Sequence, residues 1–212
     1  MPIPPLNPLA YLRSPITAHT DSRLIDAVFR KTQAFRCEQL AFKDYPRHVL
    51  DFGGGFGVHY RQFGYRTQRW AVVENIEIVR KAQTCDLESS NLRFFPNISE
   101  AMAWLGTCDL VYSNGALQYT HVPIAILIQL IAFGIPTIRW DRTELSFDSS
   151  TTDIERTWLS WHGPRTNVPI TERRVLLPRT LIPCSTFLAA HSAYTARASS
   201  RTSFHFQLKA SP

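Results

Sequence analysis

The chain has 212 residues, 44% apolar and 19% charged, which excludes wholesale disorder and fits a single domain with a real core. The formal net charge is +6; eight of the 23 basic residues but only four of the 17 acidic ones lie from Ser146 onward, so the excess belongs to the last third. A basic balance raises an anionic ligand or nucleic acid as a partner without choosing between them. The four cysteines (Cys37, Cys85, Cys108 and Cys184) form no C-x-x-C pair and have no histidine at finger spacing. That pattern argues against structural zinc, so no metal is expected, and it fits a reducing compartment.

Met1 to Pro8 is proline-rich and lacks the basic-then-apolar order of a signal peptide. The longest apolar run, Ile124 to Phe133 with one break at Gln129, is half of the roughly 20 residues a membrane span needs. A cytoplasmic, soluble protein is expected.

Prolines make residues 1–20 extended or loose. Leu24, Ile25, Val28, Phe29 and Phe35 recur at helical spacing and predict an amphipathic helix from Asp21 to Phe42. His48 to Phe52 reads as a short buried strand, and Gly53-Gly54-Gly55-Phe56-Gly57 follows it at once. Val58 to Phe63 opens the next helix. Trp70 to Val73 is a second strand, ending in Glu74-Asn75, and Ile76 to Ala82 a helix. Leu92 to Phe95 is a third strand. Ser99 can cap a helix running through Leu105. Asp109 to Ser113 is a fourth strand, Pro123 to Phe133 a helix apolar nearly all round and hence largely covered, and Ile135 to Trp140 a fifth strand.

Strands alternating with helices predict βαβ units and a parallel sheet whose ligand sits beyond the carboxyl ends of the strands. Asp51, Glu74, Asn114 and Asp141 each lie at such an end.

The last third is less regular, with 19 Ser and Thr residues between Ser146 and Pro212. Leu181 to His191 reads as a helix with Pro183 in its first turn. Ser203 to Lys209 alternates as a half-buried strand, and Tyr194 to Ala198 is its candidate partner. Phe147 to Leu176 matches no pattern.

A glycine loop between strand and helix lets a ligand approach backbone N–H groups closely. The dinucleotide pattern G-x-G-x-x-G/A fails at Val58 in one register and at Tyr60 in the other, and no phosphate-loop Gly-Lys-Ser/Thr follows. The pattern that fits is acid-x-Gly-x-Gly-x-Gly, from Asp51, Gly53, Gly55 and Gly57.

This segment resembles the first motif of class I S-adenosylmethionine (SAM) methyltransferases. Glu74, at the end of the second strand, matches their ribose-binding acid, and Asp109 to Tyr119 is similar to their fourth-strand motif. Asp51 to Tyr60, Ser113 to Tyr119 and Ile138 to Leu145 together resemble a bacterial family of methyltransferases linked to surface-polysaccharide genes. The likeness covers about Asp21 to Leu145. It implies an α/β, Rossmann-like class I methyltransferase fold, with a mostly parallel sheet, helices on both faces and a C-terminal antiparallel strand pair. It also implies SAM as cofactor and a small-molecule or saccharide acceptor methylated by in-line displacement.

The cofactor residues so implied are Asp51, Gly53, Gly54, Gly55, Gly57, Glu74, Asn97, Ser113 and Asn114. Asp51 either holds the glycine loop or faces the amino end of the methionine. Candidate bases near the strand ends are His59, Tyr60, Gln118, Tyr119, His121 and Asp141, of which His121, Tyr119 and His59 are the catalytic residues expected. Tyr60 and Tyr119 also read as packing residues, and Asp141-Arg142 as a strand-end ion pair. Where nucleic-acid amino-methylating enzymes carry Asn/Asp-Pro-Pro-aromatic, this chain has Ser113-Asn114-Gly115-Ala116. Pro183-Cys184 lies far past the fifth strand, so Cys184 reads as a small buried residue.

Two alternatives stand beside this reading. One is a nicotinamide-dependent oxidoreductase or sugar-nucleotide modifying enzyme. The other is a non-catalytic SAM-fold or nucleic-acid-binding protein, suggested by Arg173-Arg174, Arg197 and Arg201; little aromatic interleaving accompanies them, and nucleic acid is not the expected partner. Residues 21–212 form one domain, with 146–180 a possible lid.

Overall fold

The computed structural model describes residues 14–36, 45–147 and 149–210. Its main sheet has seven strands in the order β3-β2-β1-β4-β5-β10-β9. The strands are β1 (His48–Phe52), β2 (Arg69–Val73), β3 (Leu92–Phe95), β4 (Leu110–Asn114), β5 (Thr137–Asp141), β9 (Tyr194–Ser199) and β10 (Phe204–Leu208). The first five run parallel, and β10 lies antiparallel between β5 and the edge strand β9. This is the class I methyltransferase fold expected, including the C-terminal antiparallel pair.

Helices cover both faces. On one, Ile25 of α1 (Ser22–Ala34), the helix α2 (Val58–Phe63) and Ile78, Val79 and Ala82 of α3 (Ile76–Thr84) pack over Val49, Trp70, Val72, Leu110 and Tyr112. On the other, α4 (Ile98–Leu105), α5 (Pro123–Ala132) and α6 (Cys184–Ala190) cover Leu50, Ala71, Val111, Ile138 and Trp140. Fully buried side chains of this size each stabilise the fold by about 1.5–3 kcal/mol.

Several boundaries differ from the expectations. Asp21 caps α1, but the helix stops at Ala34, where Phe35 turns extended and its N–H bonds Thr32. Residues 37–42 of the expected helix lie outside the described residues. Asn97, not Ser99, caps α4, its side chain accepting the Glu100 N–H; Ser99 is already inside the helix. The helix α5 is not covered all round, since Ile128 is 56% exposed. The expected helix from Leu181 begins only at Cys184. Residues before it are held in a strand by pairing, and Pro183 becomes the cap. Cys184 is half-buried rather than buried.

The unassigned stretch supplies β7 and the start of β8 in a second sheet of three strands, ordered β6-β8-β7: β6 (Leu145–Ser146), β7 (Thr151–Trp158) and β8 (Arg174–Pro183). Its β7 and β8 are antiparallel, with Glu155 opposite Leu177. The N-terminal segment is tied to it. Ile16 is fully buried, bridges Val175, and exchanges backbone hydrogen bonds of 3.0 and 2.8 Å with Arg174 and Leu176. Beneath lies a small core of Ile16, Leu24, Ala27, Leu159, Val175 and Leu177. No helix among the described residues is long and apolar enough to cross a membrane.

Candidate functional site

The order of strands reverses between β1 and β4, the switch point where open α/β sheets form a crevice. The glycine loop after β1 sits there, and close packing explains its composition. A side-chain carbon on Gly53 would lie 2.1 Å from the Cβ of Ala116, in the loop after β4, and one on Gly54 would lie 2.2 Å from Asp51 Oδ2. Gly53 and Gly57 also adopt the left-handed backbone region. Beyond Gly55 there is open space: among the described residues, and its chain neighbours aside, no atom lies within 4 Å of where its Cβ would point.

Two carboxylates flank this loop, with different surroundings. Asp51 is fully buried, and its oxygens face His59 Nδ1 at 3.0 and 3.1 Å and Trp70 Nε1 at 3.1 Å. Of the two roles left open for Asp51, this geometry supports holding the loop from beneath. Glu74 is half-buried and accepts the N–H groups of Gly55 and Asn75, each at 3.0 Å. Burial pushes the Glu74 carboxyl up from its ordinary range, against the two N–H bonds and helped by the nearby Asp51 charge.

His59, in α2, is itself buried. Its Nε2 lies 3.4 Å from Asn114 Nδ2, and Arg142 Nε donates to Asn114 Oδ1 at 2.5 Å. The guanidinium therefore turns the Asn114 amide so that its NH2 faces His59. In that arrangement Nδ1 of His59 carries the proton toward Asp51, and Nε2 accepts. Both ring nitrogens are engaged, so His59 is placed to hold Asp51 rather than to stand free as a base. Arg142 occupies the left-handed backbone region, and its carbonyl accepts from Gln118 Nε2 at 3.1 Å.

The expected Asp141-Arg142 ion pair is not formed. Asp141 pairs instead with Arg139, two residues back on the same face of β5, and accepts the Tyr112 hydroxyl at 3.1 Å. Asn97 spends its side chain on capping α4 and on Glu100 Oε1. Ser113 lies on the opposite face of β4 from Asn114, fully buried, its hydroxyl without a hydrogen-bond partner among the described residues. Tyr60 packs edge-on to Trp70.

The remaining candidate bases are apart from this cluster. Tyr119, in the 3-10 turn Leu117–Tyr119 after β4, donates its hydroxyl to Glu155 of β7. Burial, then that bond, pushes the phenol well above its ordinary range. His121 is exposed, two residues further on. Among the described residues, no group of three or more metal-ligating side chains occurs.

Sequence reasoning did not single out His19, Trp70, Asn75, Arg142 or Glu155 for the site. Asn75, directly after Glu74 and capping α3 through Glu77 and Ile78, carried a legible capping signal. The others depend on partners far along the chain.

No family model matches the chain, and no curated protein sequence matches it either. Solved structures do. DesVI of Streptomyces venezuelae is 14% identical with a TM-score of 0.50, covering 89% of this chain and 90% of its own. CalS10, an amino pentose methyltransferase from Micromonospora echinaspora solved with SAM bound, is also 14% identical with a TM-score of 0.50, covering 91% of this chain and 92% of its own. At these identities the likeness establishes the fold.

Proposed function

We propose that this chain is a SAM-dependent methyltransferase acting on a small-molecule or saccharide-type acceptor. The carrying observation is the pairing of an open glycine loop with Glu74 at the neighbouring strand end, in the crevice of a class I methyltransferase fold. The residues fit the cofactor. The space beyond Gly55 leaves room for a ligand against the backbone, and Glu74 keeps lone pairs for a ribose diol beyond the two backbone donors it holds. Gly53, Gly54 and Gly57 shape the loop and Asp51 holds it. Asn97, Ser113 and Asn114 stand at the ends of β3 and β4, where the adenine and methyl-donor sides are expected.

When bound, SAM supplies a methyl group on a sulfonium, open to in-line displacement by an acceptor lone pair. The protein's part is to hold the acceptor in line and exclude water, which is worth several kcal/mol of barrier. CalS10 was crystallised with SAM and acts on an amino pentose, which supports a saccharide-type acceptor here. The nicotinamide alternative lacks its third glycine, since Val58 and Tyr60 occupy the two possible positions. Calorimetric titration tests the choice. SAM or its demethylated product, S-adenosylhomocysteine (SAH), should bind and NAD should not; tight NAD binding with none of SAM would overturn the reading.

A further inference from the structure

We propose that Glu155, held by Tyr119, against whose ring His19 stands edge-on, is the acceptor subsite and takes an amine. The proposal rests on the methyl-transfer reading above and names the chemistry of its acceptor.

The strand β7 has its faces inverted. Ile154 and Trp158 are 53% and 41% exposed, whereas Glu155 and Thr157 turn toward the body of the protein. A strand covering an ordinary core does the reverse. The polar row faces residues from three other segments. Tyr119, from the loop after β4, donates to Glu155. His19, from the N-terminal segment, stands edge-on to Tyr119 with ring centroids 4.9 Å apart. His162, just past β7, meets Thr157 Oγ1 at 2.7 Å through Nε2. The turn that carries Tyr119 is continuous with Ala116, which abuts Gly53, so this polar row and the glycine loop flank the same post-β4 loop.

The chemistry of the cluster selects its ligand. Glu155 is half-buried, and among the described residues Tyr119 supplies its one hydrogen bond. The nearby cations are engaged elsewhere. Arg179 of β8 pairs with Asp153 and Glu144, and Lys31 donates to the carbonyls of Ser160 and His162. His19 has its Nε2 buried without a partner among the described residues, and burial holds its ring down to about 4, so it is uncharged at neutral pH. A half-buried carboxylate held by a phenol, with a neutral imidazole against that phenol, complements an ammonium or N–H donor. It repels a phosphate or carboxylate. Glu155 accepts one proton from the incoming ammonium, which frees the nitrogen lone pair as nucleophile. The proton passes to water when the product leaves.

The test uses the full chain, saturated with SAH and titrated calorimetrically with D-glucosamine, D-glucose and D-glucuronate. Glucosamine should bind at least tenfold tighter than glucose, and glucuronate not at all. Glu155→Gln, which keeps the side chain's size and an acceptor for Tyr119, should weaken glucosamine about tenfold and leave SAH affinity within twofold. Tyr119→Phe should weaken glucosamine by a smaller factor. Equal binding of glucose, preference for glucuronate, no glucosamine binding, or no loss on Glu155→Gln would each overturn the subsite. Failure of SAH to bind would instead strike the cofactor reading. Glucosamine titrated into the ligand-free chain, with the same variant beside it, would then decide the subsite by itself.

Discussion

His59 presents Nδ1 to both carboxylate oxygens of Asp51, at 3.0 and 3.1 Å, in the interior beneath the glycine loop. With Trp70 Nε1 as the other donor, Asp51 is a buried carboxylate whose partners come from α2 and β2. Its own strand supplies neither. The glycine loop leads directly from this pair, and Gly54 approaches Asp51 too closely for any side chain. The pair therefore fixes the path of the loop.

Removing the imidazole leaves part of a buried carboxylate unsatisfied. His59→Ala should cost about 1–3 kcal/mol of stability in urea denaturation, and should weaken SAH by loosening the loop. His59→Gln, which can still donate to Asp51, should recover most of both. A His59→Ala protein as stable as the wild type would show that water replaces the ring without loss.

Glu74 gives a prediction for the cofactor. On the proposed reading its carboxylate is the acceptor offered to the ribose diol, so Glu74→Ala should weaken SAH about tenfold, ~1.4 kcal/mol. The sign of the pH dependence follows from its surroundings. Burial raises the Glu74 carboxyl, so it takes up a proton at a higher pH than an ordinary carboxylate. A protonated carboxyl accepts less well, and SAH affinity should fall on acidification. Titrations across that range should show the fall in the wild type and its absence in Glu74→Ala.

His191 supplies a pH dependence of stability. It is buried, stacks on Phe206 with centroids 4.0 Å apart, and joins Trp140 Nε1 at 3.0 Å to the Phe187 carbonyl at 2.8 Å. Nε2 must accept from the indole, so the ring is neutral with its proton on Nδ1. Burial lowers its pKa from 6.5 to about 4. The unfolded chain then binds the extra proton between those values. The stabilisation is complete above about 6.5 and is lost as pH falls toward 4, at up to about 1.4 kcal/mol per pH unit. His191→Gln keeps a donor and an acceptor but does not titrate. Its Tm should fall less over that interval than the wild type's, and parallel curves would refute the assignment.

The legible parts of the fold were those with short-range causes. The buried strands β1 to β4 follow from runs such as Trp70 to Val73, and the glycine loop from residues that no other type can replace at Gly53 and Gly54. Glu74 could be read because its place at a strand end is fixed by the same local pattern. The second sheet could not. Its β7 places Glu155 inward and Ile154 outward, against the rule by which apolar residues reveal a strand's buried face.

Local sequence thus determined the order of the parallel strands and their helices, the crevice and the place of Glu74 at a strand end, because hydrophobic period and backbone sterics act over a few residues. The tertiary structure alone decided which polar groups meet. Asp51 finds Trp70 across the sheet, and Arg142 orients Asn114 and through it His59. Tyr119 finds Glu155 from a helix and two strands away, with His19 brought in from the N-terminal segment. These meetings depend on how sheets and segments pack. A buried polar group must be satisfied by whatever the fold brings to it, and spacing along the chain carries no record of that partner.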